Sequence, residues 1–223
     1  MKGPIGGSVI IFLLAALCSS GVLAMNCPDF VFLNKVTPRD QDTGSWCWAA
    51  SQQMVMESYG SEYFDYQCNI ATAVLRSTVG LPNSIRSCCD PQSIYLPACA
   101  TVGWPDFPLY HFNATKVEVR DPSDPLGSDR QTGWDALREQ LCNGQGFVIT
   151  LERGRTAHQY VVNGFKVIFV TDPITGTFYE VRTVYAFDPN GPDLKVWPIE
   201  NYKYDDDLKA YHSSDFIDAF PLR

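Results

Sequence analysis

Histidine is scarce in this 223-residue chain: three are present, His111, His158 and His212, beside four methionines. So few imidazoles exclude a histidine-rich metal centre. The cysteines contain no Cys-x-x-Cys pair, and adjacent Cys88-Cys89 does not resemble a structural zinc site. Basic residues are also in deficit, 17 against 25 acidic, a net charge of −8. That balance argues against nucleic acid or an anionic membrane surface as partner. There is no internal repeat and no low-complexity tract, and after Ala24 no apolar run is long enough to span a bilayer. What is present is apolar: 45% hydrophobic and 13% aromatic residues exclude a disordered chain. One domain with a sizeable core, or two lobes sharing a cleft, is expected.

Residues 1–24 read as a secretory signal peptide. Lys2 is their lone charge, Val9 to Leu17 is an unbroken apolar run, and Val22-Leu23-Ala24 ends in small-residue cleavage chemistry. The mature domain is then 25–223, exported to an oxidising space, extracellular or periplasmic. Eight cysteines stand at 18, 27, 47, 68, 88, 89, 99 and 142. Removal of Cys18 leaves an odd number, so one free thiol is expected among Cys27, Cys47, Cys68, Cys88, Cys89, Cys99 and Cys142. Cys47 is the natural choice for it, and the pairing of the other six is open.

The flanks of Cys47 give the reason. Asp42, Thr43, Gly44 and Ser45 are turn and cap formers, and Trp48, Val55 and Tyr59 follow at helical spacing. Cys47 is thus expected at a helix N-terminus, where free N–H groups and the positive dipole end favour a thiolate. Gln41, six residues earlier, can aim an amide N–H at an oxyanion forming beside the sulfur. Gln41 followed by Cys47-Trp48-Ala49 resembles the papain-like cysteine proteases. Gly44, Ser45 and Trp46 stand where the best-known papain pattern has a further cysteine, so the match is closer to the short branch. That branch includes secreted bacterial effector proteases and relatives of bacteriocin-leader peptidases. The resemblance implies an α+β fold, a helical lobe with the nucleophile helix (about 40–145) followed by an antiparallel β lobe (about 146–223), with the active-site cleft between them.

The rest of the chain is read with that in mind. Tyr66 to Val79 and Thr132 to Asn143 carry helical periodicity. Leu81 to Pro108 is irregular, and Asn113-Ala114-Thr115 is an N-glycosylation acceptor pattern in a loop. Strand-like runs are 147–151, 159–165, 166–171, 178–187 and 194–197, with a hairpin turn at 172–176. His158 opens the second run and is the expected base. An acid or amide must orient it by accepting from Nδ1–H, leaving the other nitrogen for the sulfur. Asp188, at a strand end, is preferred to Asp172, which has a local task in its turn; Asn190 is a third choice. Residues 25–40 read as an extended lead-in, with Cys27 as tether and Phe30, Phe32 and Leu33 packing on the core. They are too few for an inhibitory prodomain, so the signal-cleaved product is expected to be active without a second cut.

The expected activity is peptide-bond hydrolysis through Cys47, His158, Asp188 and Gln41, without metal or cofactor, by a monomer acting on protein or peptide substrates. Alternatives are an amidase, a transglutaminase-like or cell-wall hydrolase of the same fold, or a catalytically silent binding protein.

Overall fold

In the computed structural model the described residues are 27–118, 134–153, 156–191, 193–198, 204–205 and 210–222. The signal-peptide segment and the expected cap at Thr132 lie outside them.

The fold is a mixture of helices and antiparallel sheet, that is, α+β. Helix α1 (Cys47–Glu57) is followed by α2 (Gln67–Thr78) and, later, α3 (Trp134–Cys142). The strands are β1 (Phe30–Phe32), β2 (Phe112–Glu118), β3 (Phe147–Arg153), β4 (Thr156–Thr171), β5 (Phe178–Phe187), β6 (Leu194–Pro198), β7 (Tyr204–Asp205) and β8 (Ala210–Pro221). They form one sheet in the order β2-β8-β3-β4-β5-β6, with β1 added to β4 and β7 to β8. Every pairing is antiparallel.

Alternation along the strands gives the sheet two covered faces. Val148, Val161, Phe187 and Phe216 pack under α1 and α2 together with Trp46, Trp48 and Met54. On the other face, Phe147, Ile149, Leu151, Tyr160, Val162 and Trp197 pack with Leu137 and Leu141 of α3. Helix α1 is more deeply placed than an amphipathic pattern implies, since every residue from Cys47 to Met56 is buried. Its two glutamines enter the core because backbone groups receive them. Gln52 donates to Asp106 O at 3.1 Å and accepts from Asp106 N–H at 2.9 Å, while Gln53 donates to Asp65 O at 2.7 Å.

Several elements differ from the sequence reading. The runs 159–165 and 166–171 are one continuous strand. The Asn113 acceptor pattern lies in β2 rather than in a loop, and the Asn113 amide donates to Asp218 O at 3.2 Å. Strand β2 therefore interrupts the expected helical part and pairs with β8, which the reading did not anticipate. The lead-in segment is tethered as expected: Cys27 bridges to Cys142, and β1 lies on β4. Gly164 makes that seat possible, because a Cβ there would come within 2.6 Å of Val31 O. Phe32 and Leu33 pack on the core, whereas Phe30 does not; it is 55% exposed and meets Tyr185 edge to face.

Candidate active site

Cys47 is the one free cysteine among the described residues; Cys68 pairs with Cys89, and Cys88 with Cys99. It is the first residue of α1. The cap residue is Trp46, not one of the polar residues before it, and it supplies no side-chain hydrogen bond to the first turn. The N–H groups of that turn have no intrahelical acceptors. The chain enters the helix through a short turn, with Trp46 N–H on Thr43 O at 3.1 Å.

Opposite Cys47, β4 carries His158 and β5 runs out into Asp188. The β4–β5 register pairs Val161 with Phe187, which brings these two residues together although 30 positions separate them. His158 Nε2 lies 2.7 Å from Asp188 Oδ1. This corrects the expected ring orientation: the carboxylate takes Nε2, and Nδ1 is the nitrogen left for sulfur. Burial disfavours a charged His158, but hydrogen bonds to Asp188 and Cys47 and the charges of both outweigh it, pushing the imidazole up to about 9. Burial likewise opposes the Asp188 carboxylate. The His158 hydrogen bond, the Asn190 N–H at 2.8 Å and the Lys195 ammonium at 3.5 Å nevertheless hold it below the ordinary carboxylate value. Tyr160 meets the His158 ring edge to face at 4.7 Å, and Trp197 backs Tyr160 at 5.0 Å.

The remaining candidates are placed less directly. Gln41 donates its backbone N–H to Pro189 O at 2.7 Å, and Asp40 Oδ1 accepts the Gly191 N–H at 3.1 Å, so the segment before the helix is stitched to the loop that carries Asp188. The Gln41 Oε1 is buried without a hydrogen-bond partner among the described residues, and the side chain does not line the cleft at Cys47. Asn190 contributes its backbone rather than its side chain. Asp172 stays in the 172–176 turn, where Oδ1 accepts from Ile174 N–H at 2.7 Å and Thr175 N–H at 3.0 Å. His212 forms a second, fully buried pair with Asp215 at 2.6 Å on β8 and does not line the Cys47 cleft.

A cleft of about 270 Å³ opens at Cys47, walled by Trp48, Val102, Gly103 and Trp104 on one side and Glu152, Thr156, Ala157 and Gln159 on the other. The first wall hangs on α1 and its cap: Trp46 Nε1 donates to Cys99 O at 2.8 Å and Trp48 Nε1 to Thr101 O at 3.4 Å. Gly103 lies so close to the Trp48 indole that a Cβ would come within 2.7 Å of the ring. The Cys88–Cys99 bridge closes the loop leading into this wall. Replacing both cysteines by serine is expected to cost about 2–3 kcal/mol, from the loop entropy restored to the unfolded chain, and to raise KM more than it lowers kcat. Thermal denaturation and steady-state kinetics of Cys88→Ser/Cys99→Ser check this; unchanged KM would remove the wall from substrate binding.

Sequence reasoning missed Lys195, Tyr160 and the 102–104 wall. Tyr160 had a signal, since two residues along a strand from His158 puts it on the same face. Lys195 and the wall had none, because strand pairing and loop closure bring them in. Compared with known protein families and with curated protein sequences, the chain matches none.

Proposed function

We propose that this chain is a secreted cysteine endopeptidase of the papain-like type. The observation that carries the reading is the His158–Asp188 contact of 2.7 Å beside a free cysteine at the start of a buried helix. A helix-borne thiol facing a sheet-borne histidine across a cleft is also the arrangement expected of that fold. Three disulfides among the described residues fit an oxidising compartment, with residues 1–24 as the export signal. No helix among the described residues is long and apolar enough to cross a membrane.

In this mechanism His158, raised to about 9, is the imidazolium partner of the attacking Cys47 sulfur. The sulfur attacks the peptide carbonyl carbon, and the oxyanion is met by the unpaired N–H groups at the start of α1, that of Cys47 first. His158 gives its proton to the departing amine as the C–N bond breaks, leaving a thioester on Cys47. The neutral imidazole then takes a proton from water. The resulting hydroxide equivalent attacks the thioester, and the thiolate leaves to restore the pair. Asp188 fixes the ring and stabilises its charge throughout.

Iodoacetamide added to the non-reduced protein is expected to modify Cys47 alone and to abolish casein hydrolysis in proportion to labelling. Peptide mapping beside the casein assay tests both. Full casein activity in protein fully alkylated at Cys47 would sink the proposal.

A further inference from the structure

Glu152 and Arg153 are successive residues of β3, so their side chains point to opposite faces of the strand. Glu152 lines the cleft that holds Cys47. Arg153 lines a second depression, of about 250 Å³, with His158, Tyr160, Asp188 and Asn190. Thr156 and Ala157 line both. The start of β4 is therefore a ridge between the two depressions, and the sulfur, which lines one, and the imidazole, which lines the other, meet at it in their hydrogen bond. A peptide attacked by Cys47 and protonated by His158 has to straddle this ridge, and its side chains before and after the scissile bond enter different depressions.

The depressions differ in charge. Glu152 is half-buried and has no ion-pair partner among the described residues. Beside it, Val102 and Trp104 offer exposed apolar surface, 74% and 40% accessible. An apolar wall next to a carboxylate suits a side chain with a long aliphatic stem and a cationic head, which can also lie against an indole face. Lys116 lies over the Trp104 ring at 4.3 Å but does not line the cleft. On the other side, the Asp188 charge is already engaged by His158 and Lys195. That leaves the exposed Arg153 guanidinium, which has no ion-pair partner among the described residues, to receive a carboxylate.

Building on the peptidase reading, we infer that the cleft sorts substrates by charge across the scissile bond: Glu152 selects a lysine or arginine side chain on one side, and Arg153 an aspartate or glutamate on the other. The test is digestion of a proteome-derived peptide library by the full, disulfide-intact protein, with cleavage sites read by mass spectrometry. Basic residues should be enriched on one side of the cut and acidic residues on the other. Glu152→Lys should erase or invert the basic preference alone, and Arg153→Glu the acidic preference alone, each by roughly tenfold in relative kcat/KM. Each preference is a ratio between peptides cut by one sample, so a partly folded variant still reports it; Glu152→Gln and Arg153→Gln are milder versions with the same sign. Cleavage without charge bias, or a variant that shifts both sides together, overturns the inference while leaving the peptidase reading intact. A library and casein both left whole by protein whose Cys47 still alkylates overturn the peptidase reading itself.

Discussion

Cys47→Ser should lower kcat/KM by a factor on the order of 10⁵ or more, the scale seen when a nucleophile is removed from a unit that acts together. The change swaps one atom for a smaller one at a site 9% exposed, so the fold should survive and Tm should move by only a few degrees. A serine hydroxyl is a weaker acid than a thiol and does not form the ion pair with His158 that the proposed mechanism requires. Steady-state kinetics with thermal denaturation of the same preparation separate the outcomes. Retention of more than a hundredth of the activity by a folded Cys47→Ser protein would place the nucleophile elsewhere.

Asp188→Ala should lower kcat/KM by roughly 10²–10⁴, since the thiol, imidazole and oxyanion donors remain while the ring loses its orientation. The pH profile gives a sharper readout. His158 is raised to about 9, with burial opposed by Asp188 and Cys47. It therefore stays protonated through neutral pH and loses its proton as pH rises past about 9, and the alkaline limb of kcat/KM should lie there. Removing Asp188 removes the leading cause of the upward shift, so the limb should move down toward the ordinary histidine value. The carboxylate limb is set by Asp188, held below 3.8, so its contribution fails only in stronger acid. Asp172→Ala should leave the profile where it is and lower Tm slightly through the two lost turn hydrogen bonds. A larger catalytic loss from Asp172→Ala than from Asp188→Ala, both folded, would reverse the assignment.

How much of this was legible in the sequence varied with the range of the interaction. The start of α1 at Cys47, helix α2 and the strands carrying His158 and Asp188 were written locally, in periodicity and in the Gly, Asn and Pro residues that end them. The choice of Asp188 over Asp172 also had a local signal, because an aspartate opening a Thr-Gly turn already has two N–H groups to accept. Strands β2 and β8 were not legible. Phe112–Glu118 looks like a loop, and β8 carries His212, Ser214 and Asp215 at buried positions, which hides the alternation that marks a strand. Their pairing spans about a hundred residues and leaves no mark on either segment. The ring nitrogen taken by Asp188 follows from the approach of β5 to β4, and the seating of Gln52 and Gln53 in the core from backbone groups elsewhere; neither has a sequence signature. The cleft wall at 102–104 sits in proline- and cysteine-rich sequence whose shape is set by the Cys88–Cys99 bridge and two indole hydrogen bonds.

The central claim is that Cys47 attacks an acyl carbon with His158 as its proton partner. The most direct test is to quench the protein in acid during turnover of an activated peptide ester and to map the adduct by mass spectrometry. The account predicts a thioester, seen as the added mass of the acyl group on the peptide containing Cys47. The adduct should accumulate further in Asp188→Ala, where its hydrolysis is slowed, and be absent in Cys47→Ala. Turnover with no adduct on Cys47, undiminished in Cys47→Ala, would contradict it.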